Sequence, residues 1–596
     1  MNEHDLRGLI EHVREGKLSR RAFTRTMIAL GLTAPIATQM LAYSGVAVAA
    51  EKFAYKPTKA GGGGALKVLW WQAPTLLNPH FATGTKDQDA SRIFYEPLAG
   101  WDADGDLTPV LAAVIPTVEN GGLAEDGTSV TWKLKQGVTW HDGHPFTADD
   151  VVFNWEYSSD PATAAVTIGS YKDIKAIKVD DHTVRVEFAK PTPFWADPFV
   201  GAIGMIVPKH LFEPYKGAKS REAPANLSPV GTGPYMFVDF KPGDVVHGKL
   251  NPNYHMPNRP YFDTIEMKGG GDAVSAARAV LQTGEYDFAW NMQVEDEILK
   301  RLEASGQGQV IITPAGGIEH IQLNNTDPWH EVDGERSSIK SKHPYLSDPA
   351  VRQAISLLVD KGSVHKYIYG RTGDDSANFI TAPERFASKN THYEFSIEKA
   401  IKLLDAAGWK PGSDGVREKD GVKLHAVYQT STNTPRQKTQ EIVKQACQKA
   451  GISVEIKSVV ASVYFSSDVA NLDTYPHFAC DLQMYTTTMQ QPDPGVWMRQ
   501  FLTEEIATKA NKYQRRNIVR WSNAEYDKLW EQSDKELSPV KRAAMLIALN
   551  DMVVNNVVVI PVVTRPAVSA VAKNLHTPLS GWDTNTYALQ DWYRDA

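Results

Sequence analysis

The sequence predicts an α/β protein of several lobes, and three observations predict it. Strand-like period-2 runs alternate with helix-like periods along most of the chain. Many of the helices begin at a Ser, Thr, Asp or Asn cap or at a proline in the first turn. The 596 residues, 42% apolar and 22% charged, exceed what one core holds and suffice for two to four lobes.

One stretch, Thr131 to Tyr157, shows all three features. Val130, Trp132 and Leu134 alternate with Thr131, Lys133 and Lys135, the pattern of a half-buried strand. Gln136-Gly137 turns, Val138 and Trp140 predict a short second strand, and His141-Asp142-Gly143 turns again. Thr147 then caps a helix whose first turn carries Asp149 and Asp150, where the helix dipole favours negative charge. Phe146 and Val151 flank the cap at staple positions.

Composition narrows the function classes. Lys and Arg number 63 against 70 Asp and Glu, a net charge of −7, so no basic excess points to nucleic acid. The two cysteines, Cys447 and Cys480, lack metal-ligand spacing and read as buried thiols, with a disulfide between them the alternative. Gly61 to Gly64 lack the Gly-Lys-Ser/Thr of a phosphate loop and read as linker. His141, His144 and Asp142 have no visible companion ligands, so their turn reads as structural and no metal is expected.

Taken in order, residues 4–16 form an amphipathic pattern with Leu6, Leu9, Ile10 and Val13 on one face. Ser19-Arg20-Arg21-Ala22-Phe23 resembles a twin-arginine export signal, followed by the apolar run from Met27 to Val48 and a small-residue cleavage site at Ala47-Val48-Ala49. Leu66 to Trp71 is a buried strand. A polar loop, Leu77 to Thr85, leads into a helix through Ile93 and Tyr95 to Leu98. Asp180 to Phe188 is a turn into a strand, and the glycines of Val230-Gly231-Thr232-Gly233-Pro234-Tyr235 permit a turn closed to residues with a β-carbon. Ile318 to Leu323 reads as a crossing strand. Asp348-Pro349 and Ser396 start helices, and Gly408 ends the second. Leu424 to Gln429 is a strand whose loop, Thr430 to Pro435, opens a helix through Cys447. Ile452 to Ile456 and Phe478 to Tyr485 are further strands. Ser522 to Glu525 is a capping box, Ser538-Pro539 begins another helix, and Val557 to Val563 is the apolar return strand.

The segment GVTWHDGHPFTADDVVFNW, residues 137–155, resembles the signature of the bacterial extracellular solute-binding protein family 5. These are receptors for peptides, dipeptides, nickel and related solutes that feed ABC importers. Residues 230–235, Asn251-Pro252-Asn253-Tyr254, Pro260 to Asp263 and Gly284 to Ala289 match it too, as do DPAVRQAISLLVDK (348–361) and EKAIKLLDAAGW (398–409). The resemblance implies a periplasmic-binding-protein-like α/β fold with two main lobes, an extra lobe and two crossing segments at the hinge. The expected layout is a signal peptide (1–49), a linker (50–64), lobe I (65–100, 227–317 and 566–596), an extra lobe II (101–226) and lobe III (318–565). It implies a soluble, exported, monomeric periplasmic receptor without cofactor or catalytic residues. Its partners would be a small-molecule or peptide ligand, an ABC permease and ATPase complex, and the twin-arginine export machinery.

The expected ligand contacts are Thr83, Gly84, Trp290, Asn291, Asn433, Tyr485, Thr487, Gln490 and Asp493. Thr83-Gly84-Thr85 stands where the family's dipeptide receptor has Ser-Gly-Thr. Trp290 and Asn291 follow a short strand, and Trp290 reads equally as core. Asn433 lies at a helix start, where it also reads as a cap. Asp493-Pro494 matches the acid-Pro pair of the family's peptide receptors. Three residues earlier those receptors hold the peptide's ammonium with an aspartate, and this chain has Gln490, a neutral group. The departure favours glycosides, opine-like conjugates or modified peptides over plain free-amine peptides, with Glu319 the alternative carboxylate. The competing class is an exported hydrolase acting on a small solute. The chain has neither Gly-x-Ser-x-Gly nor His-Glu-x-x-His, and its Ser337-x-x-Lys340 lacks partner motifs.

Overall fold

The computed structural model describes residues 53–489, 491–536 and 539–595, with isolated positions between 9 and 27. The chain divides into Met1–Lys56 and Pro57–Ala596. In the first unit Val13, Phe23 and Met27 are buried together, with Leu9, Ile10 and Leu18 against them. Leu6, Arg20-Arg21 and Ala47-Val48-Ala49 lie outside the described residues. Among the described residues no helix is long and apolar enough to cross a membrane.

In the second unit ten strands form one sheet, labelled here in chain order. They are β1 (Ala65–Trp70), β2 (Tyr235–Lys241), β3 (Val245–Leu250), β4 (Thr264–Gly269), β5 (Phe288–Ala289), β6 (Gly308–Leu323), β7 (His425–Ser431), β8 (Ser453–Val459), β9 (Leu482–Thr488) and β10 (Val559–Ala572). Their order across the sheet is β8-β7-β9-β6-β10-β5-β1-β4-β3-β2. The two long strands, β6 and β10, pair antiparallel in the middle. On one side β6 pairs antiparallel with β9, and β9 and β8 flank β7 in parallel. On the other, β10 pairs antiparallel with β5, which continues in parallel to β1 and β4.

Both crossing strands run further than the sequence predicts, because residues that read as breakers are absorbed by a bulge. The β6–β10 register slips between Thr313 and Gly317, across Pro314-Ala315-Gly316. Gly317 resumes the pairing so close to its partner that a β-carbon there would stand 2.3 Å from the Arg565 carbonyl oxygen.

One apolar core joins β1, β4 and β5 to the helices Ala273–Leu281 and Asp296–Glu303 and to a small three-stranded sheet of residues 129–133, 183–188 and 174–180. Two further cores, one around Leu346, Ile355 and Tyr428 and one around Phe379, Trp497 and Leu549, pack on the β7–β9 side. Local signals account for the helix starts. Thr147 forms a capping box with Asp150 on the helix Ala148–Ser159. Asp348 and Ser396 accept from backbone N–H groups at the starts of Pro349–Leu357 and Ile397–Ala406. At 522–525 the expected capping box of Ser522 is corrected: the cap is Asn523, which accepts from Glu525 and Tyr526 N–H.

Two local expectations fail, for tertiary reasons. The helix expected to reach Leu98 ends at Arg92. The Phe94 carbonyl accepts from Gly233, and Leu98 N–H donates to Phe199, so neither continues the helix. Val138 and Trp140 form no second strand but a tight hairpin with a single bridge, Thr139 to Pro145. Its tip is held by the segments that carry the other motifs.

His141 links these motifs. Its N–H donates to the Gly231 carbonyl, its Nδ1 accepts from Gly231 N–H at 3.1 Å, and its Nε2 bonds the Gly233 carbonyl at 3.0 Å. Beneath lies Glu96, fully buried, which accepts from Thr232, Tyr254 and His255 at 2.8–2.9 Å. Burial alone would raise its carboxyl, but His255, Arg92 and these hydrogen bonds hold it down at about 2. Gly231 and Gly233 do not have positive φ, which corrects the turn argument for them. They are glycines because the loop lies on the backbone of residues 93–94, where a β-carbon on Gly231 would come within 1.8 Å of the Phe94 oxygen. Asp142 also gains a partner the sequence did not reveal, His210, at 2.7 Å, with His144 stacked on it at 4.2 Å. Asp142 accepts from both rings, and the three side chains bring possible metal-ligand atoms within 4.8 Å of one another, a companion set that the sequence reading did not find.

Gly231→Ala should destabilise the protein by about 3 kcal/mol or more, because the β-carbon has no space without moving Phe94. Gly243→Ala, with open space at its position but positive φ, should cost only about 1 kcal/mol. Urea denaturation of the two variants measures the contrast.

Candidate functional site

A cavity of 240 Å³ lies within the Pro57–Ala596 unit. Five stretches wall it: the loop and helix start at 82–88, Trp290-Asn291 after β5, residues 475–489 including the end of β9, residues 513–518, and residues 580–585. The bulge residue Ala315 and residues 565–568 of β10 close it from the crossing strands. A larger cleft of 550 Å³, between 169–198 and 499–534, is lined by surface ion pairs such as Lys172–Glu504 and contains none of the expected contacts.

Thr83, Gly84, Trp290, Asn291, Tyr485 and Thr487 all line the cavity. Gly84 precedes the helix Thr85–Arg92 and offers no side-chain cap, so the first N–H groups of that helix begin at the cavity wall. Across the cavity, Tyr475 Oη donates to the Thr83 carbonyl at 3.1 Å, and Ser467 Oγ lies 3.0 Å from Thr83 Oγ1. Trp290 is both core and wall. It stacks on Trp70 and Trp71 at about 6 Å and is 7% exposed. Asn291 adopts φ +53°, its carbonyl accepts from Trp71 Nε1 at 2.8 Å, and its Oδ1 faces Arg565 Nη2 at 3.4 Å. Tyr485 packs with Phe465 and Tyr475 in an aromatic group on the same wall.

The remaining expected contacts fall elsewhere. Asn433 is the cap of the helix Thr434–Lys449, and its Nδ2 donates to the Gln293 carbonyl at 3.1 Å. Asp493 caps Pro494–Met498 and forms a bidentate pair with Arg542. Both cap helices and neither is in the cavity lining. Gln490 lies outside the described residues. Glu319 is buried and saturated: Arg436 Nε and Gln293 Nε2 donate to it at 2.9 and 2.8 Å, and Thr486 Oγ1 at 2.6 Å. Burial opposes both charges of the Glu319–Arg436 pair, but each holds the other ionised, with the carboxyl below and the guanidinium above its ordinary value.

Sequence reasoning missed the charged residues of the wall, Arg436, Arg515, Arg516, Arg565 and Asp583. Arg515 pairs with Glu505 at 3.3 Å. Asp583 accepts from Trp101 N–H at 3.0 Å and Thr584 N–H at 2.7 Å, and burial raises its carboxyl despite Arg92. The available signal was an arginine inside the apolar run 557–568. Cys447 and Cys480 are both free and buried, and burial raises both thiols.

Next to the wall, His320 is fully buried between Phe379 and Tyr485. Burial brings its pKa down to about 4, against a weaker opposing bond to the Ile318 carbonyl. The neutral imidazole thus contributes stability in full above pH 6.5, and that contribution is withdrawn as pH falls toward 4. On going from pH 6.5 to 4, His320→Gln should lose up to about 3 kcal/mol less stability than the parent chain. Equal losses in denaturant titrations at the two pH values would refute a neutral His320.

Comparison with known proteins identifies the family and the fold. A family model described as bacterial extracellular solute-binding proteins, family 5 middle, matches residues 109–507. The oligopeptide-binding protein AppA of Bacillus subtilis is 29% identical over 422 residues, covering 69% of this chain and 71% of that protein. The glutathione-binding protein GsiB of Escherichia coli K12 is 25% identical over 504 residues, covering 84% and 89%. The structure of B. subtilis AppA in complex with a nonapeptide superposes with a TM-score of 0.77 at 22% identity, covering 91% of this chain and all of that one.

Proposed function

The chain belongs to the bacterial extracellular solute-binding proteins of family 5, and from that premise we propose that it is the receptor of an ABC importer for a small solute. It captures the solute in the 240 Å³ cavity and presents it to a membrane permease, whose ATPase partner supplies the energy. We place it in the periplasm after export by the twin-arginine route, on the strength of Ser19-Arg20-Arg21-Ala22-Phe23. The receptor makes and breaks no bonds.

One observation carries this reading. The cavity is walled by segments from both sides of the sheet, bonded to each other at Thr83, Ser467 and Tyr475, while β6 and β10 run unbroken beneath. That is the geometry of a clamp with two crossing strands as its hinge and the Thr83 contacts as its latch. Its volume lies just below the ~300–1,000 Å³ of pockets that bury drug-sized ligands. An extended nonapeptide reaches about 30 Å, so the cavity suits a shorter solute than the one AppA holds. Thr83, Gly84, Trp290, Asn291, Tyr485 and Thr487 are the contacts we assign from the sequence-expected set.

Titration with a library of peptides, amino-acid conjugates and glycosides, followed by tryptophan emission, should give a saturable change with at least one member and no product by mass spectrometry. Turnover of any member would favour the hydrolase instead. Tyr475→Phe removes one latch bond, worth ~1 kcal/mol, and should shift the closed-to-open ratio about fivefold. Small-angle scattering of the ligand-free variant should show a larger radius of gyration than the parent. An unchanged profile would remove Tyr475 from the latch.

A further inference from the structure

The cavity wall is cationic. Four guanidinium groups line it, those of Arg436, Arg515, Arg516 and Arg565, against one carboxylate, that of Asp583. Arg436 is neutralised by Glu319 and Arg515 faces Glu505. Asp583 is engaged by two backbone N–H groups.

Arg565 stands apart from the paired Arg436 and Arg515 and from the half-buried Arg516. It is 4% exposed, yet its Nε and Nη1 have no hydrogen-bond partner among the described residues, while Nη2 meets Asn291 Oδ1 at 3.4 Å and the group feels Tyr369 and Glu319. Its guanidinium packs over the Tyr369 ring at 5.0 Å. Glu319 is the nearby carboxylate, but Arg436, Gln293 and Thr486 already occupy its oxygens. A buried charge with open donors is costly unless something completes it. An arginine stays protonated, so neutralising itself is no way out. The open helix start at Gly84, on the same cavity, adds partial positive charge.

Resting on the receptor reading above, we propose that the solute carries a carboxylate and that Arg565 is the residue that binds it. The planar guanidinium suits a planar oxyanion, and Trp290 and Asn291 at the same wall fix the position of the group it holds.

The test uses the full mature chain and a defined library of small metabolites, half bearing carboxylates and half uncharged, screened by thermal shift and then by calorimetry. Carboxylate members should supply the binders. Their methyl esters or amides should bind at least about tenfold more weakly. Arg565→Gln should weaken the best acid roughly 10- to 150-fold, and Arg565→Lys, which keeps the charge but not the fork, should fall between. Arg565→Met should raise the melting temperature of the ligand-free protein while abolishing acid binding, because it removes a buried charge whose Nε and Nη1 donors are unsatisfied. A residue with a purely structural role would lower it. Circular dichroism confirms that each variant is folded. Binders found only among uncharged members, or acids bound equally well by Arg565→Gln, would overturn the proposal and leave the receptor reading standing. No binder of either kind would overturn both.

Discussion

The antiparallel pairing of β6 with β10 is the constraint from which the rest follows. These two strands connect the two halves of the sheet, and their hydrogen bonds continue past the bulge at 314–316. Pairing of this length fixes the relative register of everything attached to it. Glu319 on β6 and Arg565 on β10 are held at fixed positions under the cavity in consequence. Gly317 makes the close approach possible, since any larger residue would push on the Arg565 carbonyl. On the receptor reading proposed above, motion between the halves would bend these two strands and break the Thr83 contacts at the rim.

The polar interior under the cavity divides into a finished part and an unfinished part. Glu319 and Arg436 form a buried pair with additional bonds from Gln293, Thr486 and Ser431. A pair of that kind meets its desolvation cost through geometry and leaves nothing for a ligand. Arg565 lies close to this pair and is unfinished. The difference separates residues that stabilise the empty protein from those with capacity left over. It also explains why Glu319, a natural choice from sequence, makes a poor ligand contact.

Much of the fold was legible in the sequence, because capping and alternation are local. Thr147, Asp348 and Ser396 cap the helices their spacing predicts, and β1 alternates as its sequence does. Errors arise where a distant segment competes for a backbone group, as Gly233 does for the Phe94 carbonyl and Phe199 for Leu98 N–H. The site was half legible. Thr83, Gly84, Trp290 and Asn291 follow strand ends in the way binding loops do. Asn433 and Asp493 have the same local signal, a polar residue before a helix, but the signal is spent on capping. Arg565 was hidden because an arginine in a β-branched run reads as a strand end, and only register with β6 reveals which way the chain continues.

The residues that make the family recognisable are largely separate from those that line the cavity. His141, Gly231, Gly233 and Glu96 hold one another through backbone bonds and contacts too tight for a β-carbon. Their roles in this chain are set by packing and backbone bonds, and none of them lines the cavity. The cavity differs: Arg565 brings two donors, Nε and Nη1, that the scaffold leaves without a partner among the described residues. Relatives that share the scaffold can therefore bind an oligopeptide or glutathione, as AppA and GsiB are named for doing. Family membership identifies the clamp, and the charge balance of the wall is the part of the chain that specifies what it holds.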